Sequence, residues 1–341
     1  MQNTHTLLTP MQIGDARQGL KIQNRLIVAP MAGVTDNPFR QLCKSFGAGH
    51  AVSEMMTADA SLYAKKKSLF RANFDGEIAP ISAQIAGADP AKLAEAAQYQ
   101  IANGAQIIDI NMGCPAKKVL KKLAGSALLK DEDLVARLLD ATVKAVDAPV
   151  TLKTRLGYSN GKENIVKIAK MAEEAGIQAI AIHGRTREDR YGGNAKYDLI
   201  GEVKSTVRIP VIANGDIDSP QKAVEVFEKT GCDAIMIGRA AQGKPWIFRD
   251  IAYYLQTGET LPPPNIDELQ EIVLNHLQAL YRFYGEYSGC RIARKHIAWY
   301  TNGIANSNAF RQAMYQEETT AGQYKVVEQF LSSHLSDYLN K

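Results

Sequence analysis

The 341-residue chain is poor in several features that would assign it to a class at once. It has four cysteines, Cys43, Cys114, Cys232 and Cys290, widely spaced and with no CxxC pair. That excludes a disulfide framework and a zinc site, and it suits a reducing cytoplasm. No apolar run approaches the roughly 20 residues of a membrane span. The opening MQNTHTLLTPMQIGDARQG has neither the charged start nor the apolar stretch of a signal peptide. The expectation is a cytoplasmic monomer with no membrane partner and no metal. Charge of one sign is scarce too: 40 Lys and Arg against 36 Asp and Glu give a net charge of +4. So small an excess permits a nucleic-acid partner without implying one. Repeats are absent, and the only low-complexity stretch is a run of three prolines. With 45% hydrophobic and 22% charged residues, composition excludes disorder, collagen and coiled coil.

What is present is a rhythm. Eight short apolar runs, each followed by a turn and an amphipathic stretch, fill the first three quarters: RLIVAP (25–30), HAVSEM (50–55), PISAQIAG (80–87), QIIDINMG (106–113), PVTLKTR (149–155), AIAIHGR (179–185), PVIANGD (210–216) and DAIMIGR (233–239). Between them DPAKLAEAAQYQIAN (89–103) and SPQKAVEVFEK (219–229) open with a capping residue and then a proline. DEDLVARLLDATVKAV (131–146) spaces Leu134, Val135, Leu138 and Leu139 along one helical face. Alternating strands and helices imply a parallel sheet. Eight units predict an α/β fold, a (β/α)8 TIM barrel, over 1–256. A doubly wound sheet is the rival, disfavoured by the count and by the lack of a strand-proximal GxGxxG. The segment TGETLPPPNID predicts a proline-rich linker over 257–265. Residues 266–341 read as a small C-terminal all-helical domain. Its seven Lys and Arg against eight Asp and Glu show that net charge does not mark it as basic.

Active sites of such barrels lie at the C-terminal strand ends, and each run here ends in a chemical group. In order these are Pro30-Met31-Ala32, Glu54, Gln84, Asp109 with Asn111, Lys153 with Arg155, His183 with Arg185, Asn214 with Asp216, and Gly238-Arg239. Any one alone is a turn residue; eight around one mouth make a site. Gly215, Gly238 and Gly243 with Arg239 fit a phosphate-binding pair of loops after the last two strands. That phosphate belongs to a substrate or to a flavin mononucleotide. Cys114, in a Gly-Cys-Pro turn just past a strand, is a nucleophile or a proton donor. A thiol is mostly protonated at neutral pH, which suits an acid better than a base. Lys117, Lys118, Lys121 and Lys122 follow as a solvated face or as a cationic rim for a polyanion.

Six motifs in order, APMAGVTDNPFR (29–40), DINMGCP (109–115), TLKTRLG (151–157), IHGRTR (182–187), ANGDI (213–217) and IGRAAQGKPWIF (237–248), resemble bacterial tRNA-dihydrouridine synthases, most closely the B-type subgroup. The resemblance implies an FMN-binding barrel with a tRNA-holding helical domain. It implies reduction of the 5,6 double bond of particular uridines in tRNA, with NADPH recharging the flavin. Carried over by position, Pro30, Met31 and Ala32 bed the flavin ring, and Gln84 and Lys153 meet its pyrimidine edge. Asn214, Gly215, Asp216, Gly238 and Arg239 hold ribityl and phosphate, and His183 lies beside them. Cys114 resembles the proton donor, and Asn111 and Arg185 the residues near the target base. Lys117, Lys118, Lys121, Lys122, Arg291, Arg294 and Lys295 become candidate phosphate contacts. Trp299 and Tyr300 are base-stacking candidates, with core packing expected for at least one of them. The competing readings are an FMN barrel acting on a free pyrimidine or dihydroorotate-like molecule, a non-catalytic tRNA-binding module, and a phosphosugar aldolase using Lys153 as a Schiff-base amine.

Overall fold

The structure is a computed structural model describing residues 8–14 and 19–333. A short antiparallel hairpin, β1 (Met11–Ile13) with β2 (Leu20–Ile22), comes first. Nine parallel strands follow: β3 (Leu26–Val28), β4 (His50–Ala51), β5 (Met56–Thr57), β6 (Ser82–Ala86), β7 (Ile107–Asn111), β8 (Val150–Arg155), β9 (Ile180–His183), β10 (Val211–Asn214) and β11 (Ala234–Ile237). They are hydrogen-bonded in the order β4-β3-β11-β10-β9-β8-β7-β6-β5. β4 and β5 are two halves of one interrupted strand. Val52 bridges to Ser82 between them, and the Ser53 N–H donates to the Ser82 carbonyl at 2.9 Å. The interruption therefore closes the sheet into an eight-position barrel, and all eight sequence runs supply its staves.

The runs read as unbroken apolar stretches because both faces of each strand are covered, one by helices and one by the barrel interior. Alternation within them decides what points inward. Ile27, Val52, Ile107, Ala181, Ile212 and Met236 fill the lower interior, and Met11, Ile13 and Ile22 of the hairpin pack into the same cluster from below. Higher up the inward positions turn polar: Gln84 pairs in register with Asp109, Asp109 with Thr151, Asn111 with Lys153, Arg155 with His183, and His183 with Asn214. The interior is apolar at one end and a polar ladder at the other.

The outer helices start where capping predicts. Asp89 accepts from the Lys92 N–H at 3.0 Å ahead of the helix Pro90–Ala102, Asp131 caps Glu132–Ala145, and Ser219 caps Pro220–Thr230. A fourth helix of the same type, Asn37–Ser45, capped by Asp36 with Pro at its start, was not expected from the sequence.

The chain divides into two compact units, residues 1–238 with 247–259, and 239–246 with 260–341. Within the second, a long helix Ile266–Tyr300 breaks at Gly285 (φ 75°, ψ 177°) and is followed by Ser307–Gln316 and Thr320–Ser333. Phe310 stacks on Phe330 with centroids 3.9 Å apart. The Tyr281 hydroxyl donates to Gln323 Oε1 at 2.8 Å, and Gln323 Nε2 donates to the Cys290 carbonyl at 3.1 Å. The short segment 239–246 belongs here because Gly243, at φ +70°, lies against the backbone of Trp299. A Cβ at Gly243 would stand 2.6 Å from the Trp299 carbonyl carbon and oxygen. Among the described residues, no helix is long and apolar enough to cross a membrane.

Candidate active site

The loop carrying Cys114 is held from three sides. Asn111, the last residue of β7, turns its Oδ1 upward to accept the N–H groups of Gly113 (3.1 Å) and Cys114 (3.0 Å). Arg155, at the end of β8, donates from Nε to the Gly113 carbonyl at 2.7 Å. Ser126 donates from its N–H (3.1 Å) and from its hydroxyl (3.0 Å) to the Cys114 carbonyl. The next loop must come close to make those contacts. Gly125, at φ +63°, leaves no room for a Cβ, which would fall 2.7 Å from the Cys114 carbonyl oxygen. Cys114 itself is partly exposed, whereas Cys43, Cys232 and Cys290 are buried.

Beneath the loop runs a chain of buried amides. Gln84 Nε2 donates to Asp109 Oδ2 at 2.7 Å, Asn111 Nδ2 donates to Gln84 Oε1 at 2.7 Å, and the Thr151 hydroxyl donates to Asp109 Oδ1 at 2.6 Å. Burial pushes the Asp109 carboxyl up; Thr151, Gln84 and the Lys153 ammonium pull it back. Lys153 donates to Asn214 Oδ1 at 3.0 Å, and Asn214 Nδ2 donates to the Met236 carbonyl at 2.7 Å. Burial, and then Arg155, bring the Lys153 ammonium down to about 8 against the opposing pull of Asp109 and Cys114.

His183, Arg185, Gly215 and Asp216 form a second group. Arg185 grips Asp216 with two bonds, 2.8 and 2.7 Å, donates from Nε to the Gly192 carbonyl at 2.9 Å and from Nη2 to the Gly193 carbonyl, and approaches His183 Nε2 at 3.4 Å. All five of its donors thus face the protein. An Arg can only donate, so the contact presents a donor to His183 Nε2. Asp216, at φ 51°, also accepts from the Ala195 N–H at 2.9 Å. Tyr197 donates to the Gly215 carbonyl at 2.6 Å, and a Cβ on Gly215 (φ +123°) would come to 3.0 Å from Ala195 and His183.

The first unit therefore brings together Gln84, Asn111, Cys114, Lys153, His183, Arg185, Asn214, Gly215, Asp216 and Gly238 at the strand ends. Pro30-Met31-Ala32 follow β3, tied by the Thr35 hydroxyl, which accepts from the Met31 N–H at 3.0 Å and donates to the Ala29 carbonyl at 2.8 Å. Lys117 and Lys118 open the one-turn helix Lys117–Leu120, and they and Lys121 are exposed. Lys122, also exposed, lies 3.6 Å from Asp59. Arg239, Arg291, Arg294 and Lys295 belong to the second unit. There Arg291 lies over the Tyr287 ring at 4.4 Å, and Arg294 donates to the Glu317 carbonyl at 3.0 Å. Tyr300 is buried in that unit with its hydroxyl 3.0 Å from His276 Nδ1, the core role expected for one of the pair.

A model of the family described as dihydrouridine synthase matches residues 27–336. The chain belongs to the dihydrouridine synthase family. Its relatives include a tRNA-dihydrouridine synthase B of Pseudomonas aeruginosa, 58% identical over 311 residues that make up 91% of this chain and 94% of that one. Another, from Vibrio vulnificus, is 56% identical over 321 residues, 92% of this chain and 98% of that one. Among solved structures, histamine dehydrogenase from Rhizobium sp. 4-9 superposes with a TM-score of 0.58 at 12% identity, covering 98% of this chain and 65% of that one. At that identity the likeness is one of fold, and it is the barrel fold expected from the eight runs.

Three residues of this dihydrouridine synthase gained no role from the sequence. Asp109 and Thr151 anchor the amide chain, and Arg155, 2% exposed, ties Gly113 to the carbonyls of Thr186 (2.9 Å) and Arg190 (2.8 Å). A signal was available. Thr151, Lys153 and Arg155 recur every second residue in one strand, as do Ile107, Asp109 and Asn111 in the next. A period of two puts each set on one face, here the interior.

Proposed function

We propose that this chain reduces the C5–C6 bond of specific uridines in tRNA to 5,6-dihydrouridine, with FMN as the bound cofactor and NADPH as reductant. The reading is carried by a thiol held by backbone hydrogen bonds at the rim of a buried cationic and amide ladder. The donor set fits an FMN. One Lys153 N–H is used by Asn214, which leaves two; Gln84 Nε2 gives one N–H to Asp109 and keeps another. An ammonium with amide donors suits the electron-rich edge of a flavin, and bare backbone at Gly215 and Gly238 suits close approach of ribityl or phosphate groups.

A bound flavin would supply the hydride that reaches C6 of the uracil. The remaining steps fall to the chain. Hydride addition at C6 builds negative charge at C5 and O4, and the Cys114 Sγ–H, as general acid, gives its proton to C5. The resulting thiolate recovers a proton from solvent. Asn111, Arg155 and Ser126 hold the backbone of the turn that carries the thiol. A stacked uridine cannot reach such a mouth, so the target must be splayed out of the tRNA. The 117–122 lysines of the first unit, and separately the Arg291, Arg294 and Lys295 face of the second, are assigned to tRNA phosphates.

An absorption spectrum with a tRNA assay tests the reading. Purified protein should be yellow and should form dihydrouridine in unmodified tRNA. Colourless protein that still binds tRNA would favour the non-catalytic module, and turnover of free uracil or dihydroorotate in its place would favour the small-molecule barrel.

A further inference from the structure

The amide chain under the Cys114 loop has a direction, and the direction is set at its far end. Carboxylate oxygens accept and never donate when ionised. Asp109, 2% exposed, takes the Thr151 hydroxyl on one oxygen and Gln84 Nε2 on the other. That contact decides which way the Gln84 amide faces: with nitrogen toward Asp109, its Oε1 must face Asn111. Asn111 therefore presents Nδ2 to Gln84, which leaves its Oδ1 to receive the Gly113 and Cys114 N–H groups. Had Gln84 the opposite orientation, Asn111 would turn an NH2 toward two backbone donors, and both bonds would be lost.

We propose that Asp109 is a positioning residue for the Cys114 loop, acting through Gln84 and Asn111 to orient the amide that holds the thiol turn. The proposal rests on the role given above to Cys114 only for its effect on catalysis; the structural relay stands without it. Asp109 touches the loop nowhere itself, its oxygens being occupied one strand away. What it supplies is an acceptor, so the Asp109→Asn variant retains the relay. Its amide oxygen can face Gln84, while Thr151 switches to accepting and gives its proton to the Ile108 carbonyl at 3.4 Å.

Amide hydrogen exchange of the 112–116 segment in the purified holoprotein reads the relay directly. Asp109→Leu should speed exchange at Gly113 and Cys114 about tenfold, the equivalent of one lost hydrogen bond, while Asp109→Asn stays within about threefold of the parent. Asn111→Ala should give the same rise, and the Asp109→Leu/Asn111→Ala double variant no further rise, since members of one chain do not add. In the tRNA assay Asp109→Leu should lower kcat and leave KM for tRNA unchanged. If Asp109→Leu does not fold, Gln84→Met, which cuts the next link at similar volume, must show the same exchange rise. Unchanged exchange in folded Asp109→Leu or Gln84→Met, or additive effects in the double variant, would overturn the relay. Full activity of Cys114→Ala with the exchange result intact would overturn only the acid assignment.

Discussion

In the proposed reaction Cys114 and Lys153 divide the chemistry at the mouth, and each can be tested alone. Cys114→Ala removes the acid while leaving Gln84, Lys153 and Asn214 in place, so the flavin spectrum should persist while uridine reduction falls by roughly 10²- to 10⁴-fold. A full rate in that variant would remove the thiol from the mechanism. Lys153 makes a pH statement. Its ammonium is held down to about 8 by burial, then by Arg155, against the pull of Asp109 and Cys114. It is charged below that pH and neutral above it, so a step that leans on the cation declines as pH rises through about 8 and is level on the acid side. Flavin reduction followed by stopped flow should show that limb, and Lys153→Met should flatten it; a flat profile in the parent protein would contradict the assignment. The residues that the sequence left without a role here, Asp109, Thr151 and Arg155, act on other protein groups rather than facing outward. A lone Asp in IIDINMG announces a polar interior, but its partner sits 25 residues away in Gln84, and only strand register brings the two together. Arg185 teaches the same lesson. Its sequence position at a strand end was legible; its commitment to Asp216 was not.

At the scale of elements, most of the barrel was legible because buried parallel strands leave continuous apolar runs and capped helices leave an Asp or Ser followed by Pro. What escaped was short or interrupted. β1 and β2 have three residues each, and the β4–β5 stave is broken around Ser53, whose hydroxyl accepts the Gln84 N–H at 3.1 Å. The Gly285 break inside Ile266–Tyr300 falls where the sequence separates the helical runs DELQEIVLNHLQALYRFYG (267–285) and CRIARKHIAWYTNG (290–303). The segment 239–246 reads like any turn after a last strand, yet it joins the helical unit through Gly243. There a side chain is excluded twice over, by φ +70° and by the Trp299 carbonyl. Gly243→Ala should therefore destabilise the protein by about 2–4 kcal/mol, read as a lower midpoint in urea; an unchanged midpoint would mean that the segment is not held there.

For the whole molecule, a net charge of only +4 leaves tRNA affinity to local clusters rather than to a general field. Lys117 and Lys118 lie exposed on one turn directly after the Cys114 loop. Replacing both with Ala should weaken tRNA binding between roughly 50 and 200 mM salt and lower the slope of log affinity against log salt by about two. An unchanged slope would assign those lysines to solvent. The proposed reaction is read most directly from the product itself. Transfer RNA from a strain lacking this gene, incubated with the purified flavin-loaded protein and NADPH, should gain dihydrouridine at one defined position when mapped base by base. A map with no new dihydrouridine anywhere, from protein that carries its flavin, would contradict uridine reduction as the function of this chain.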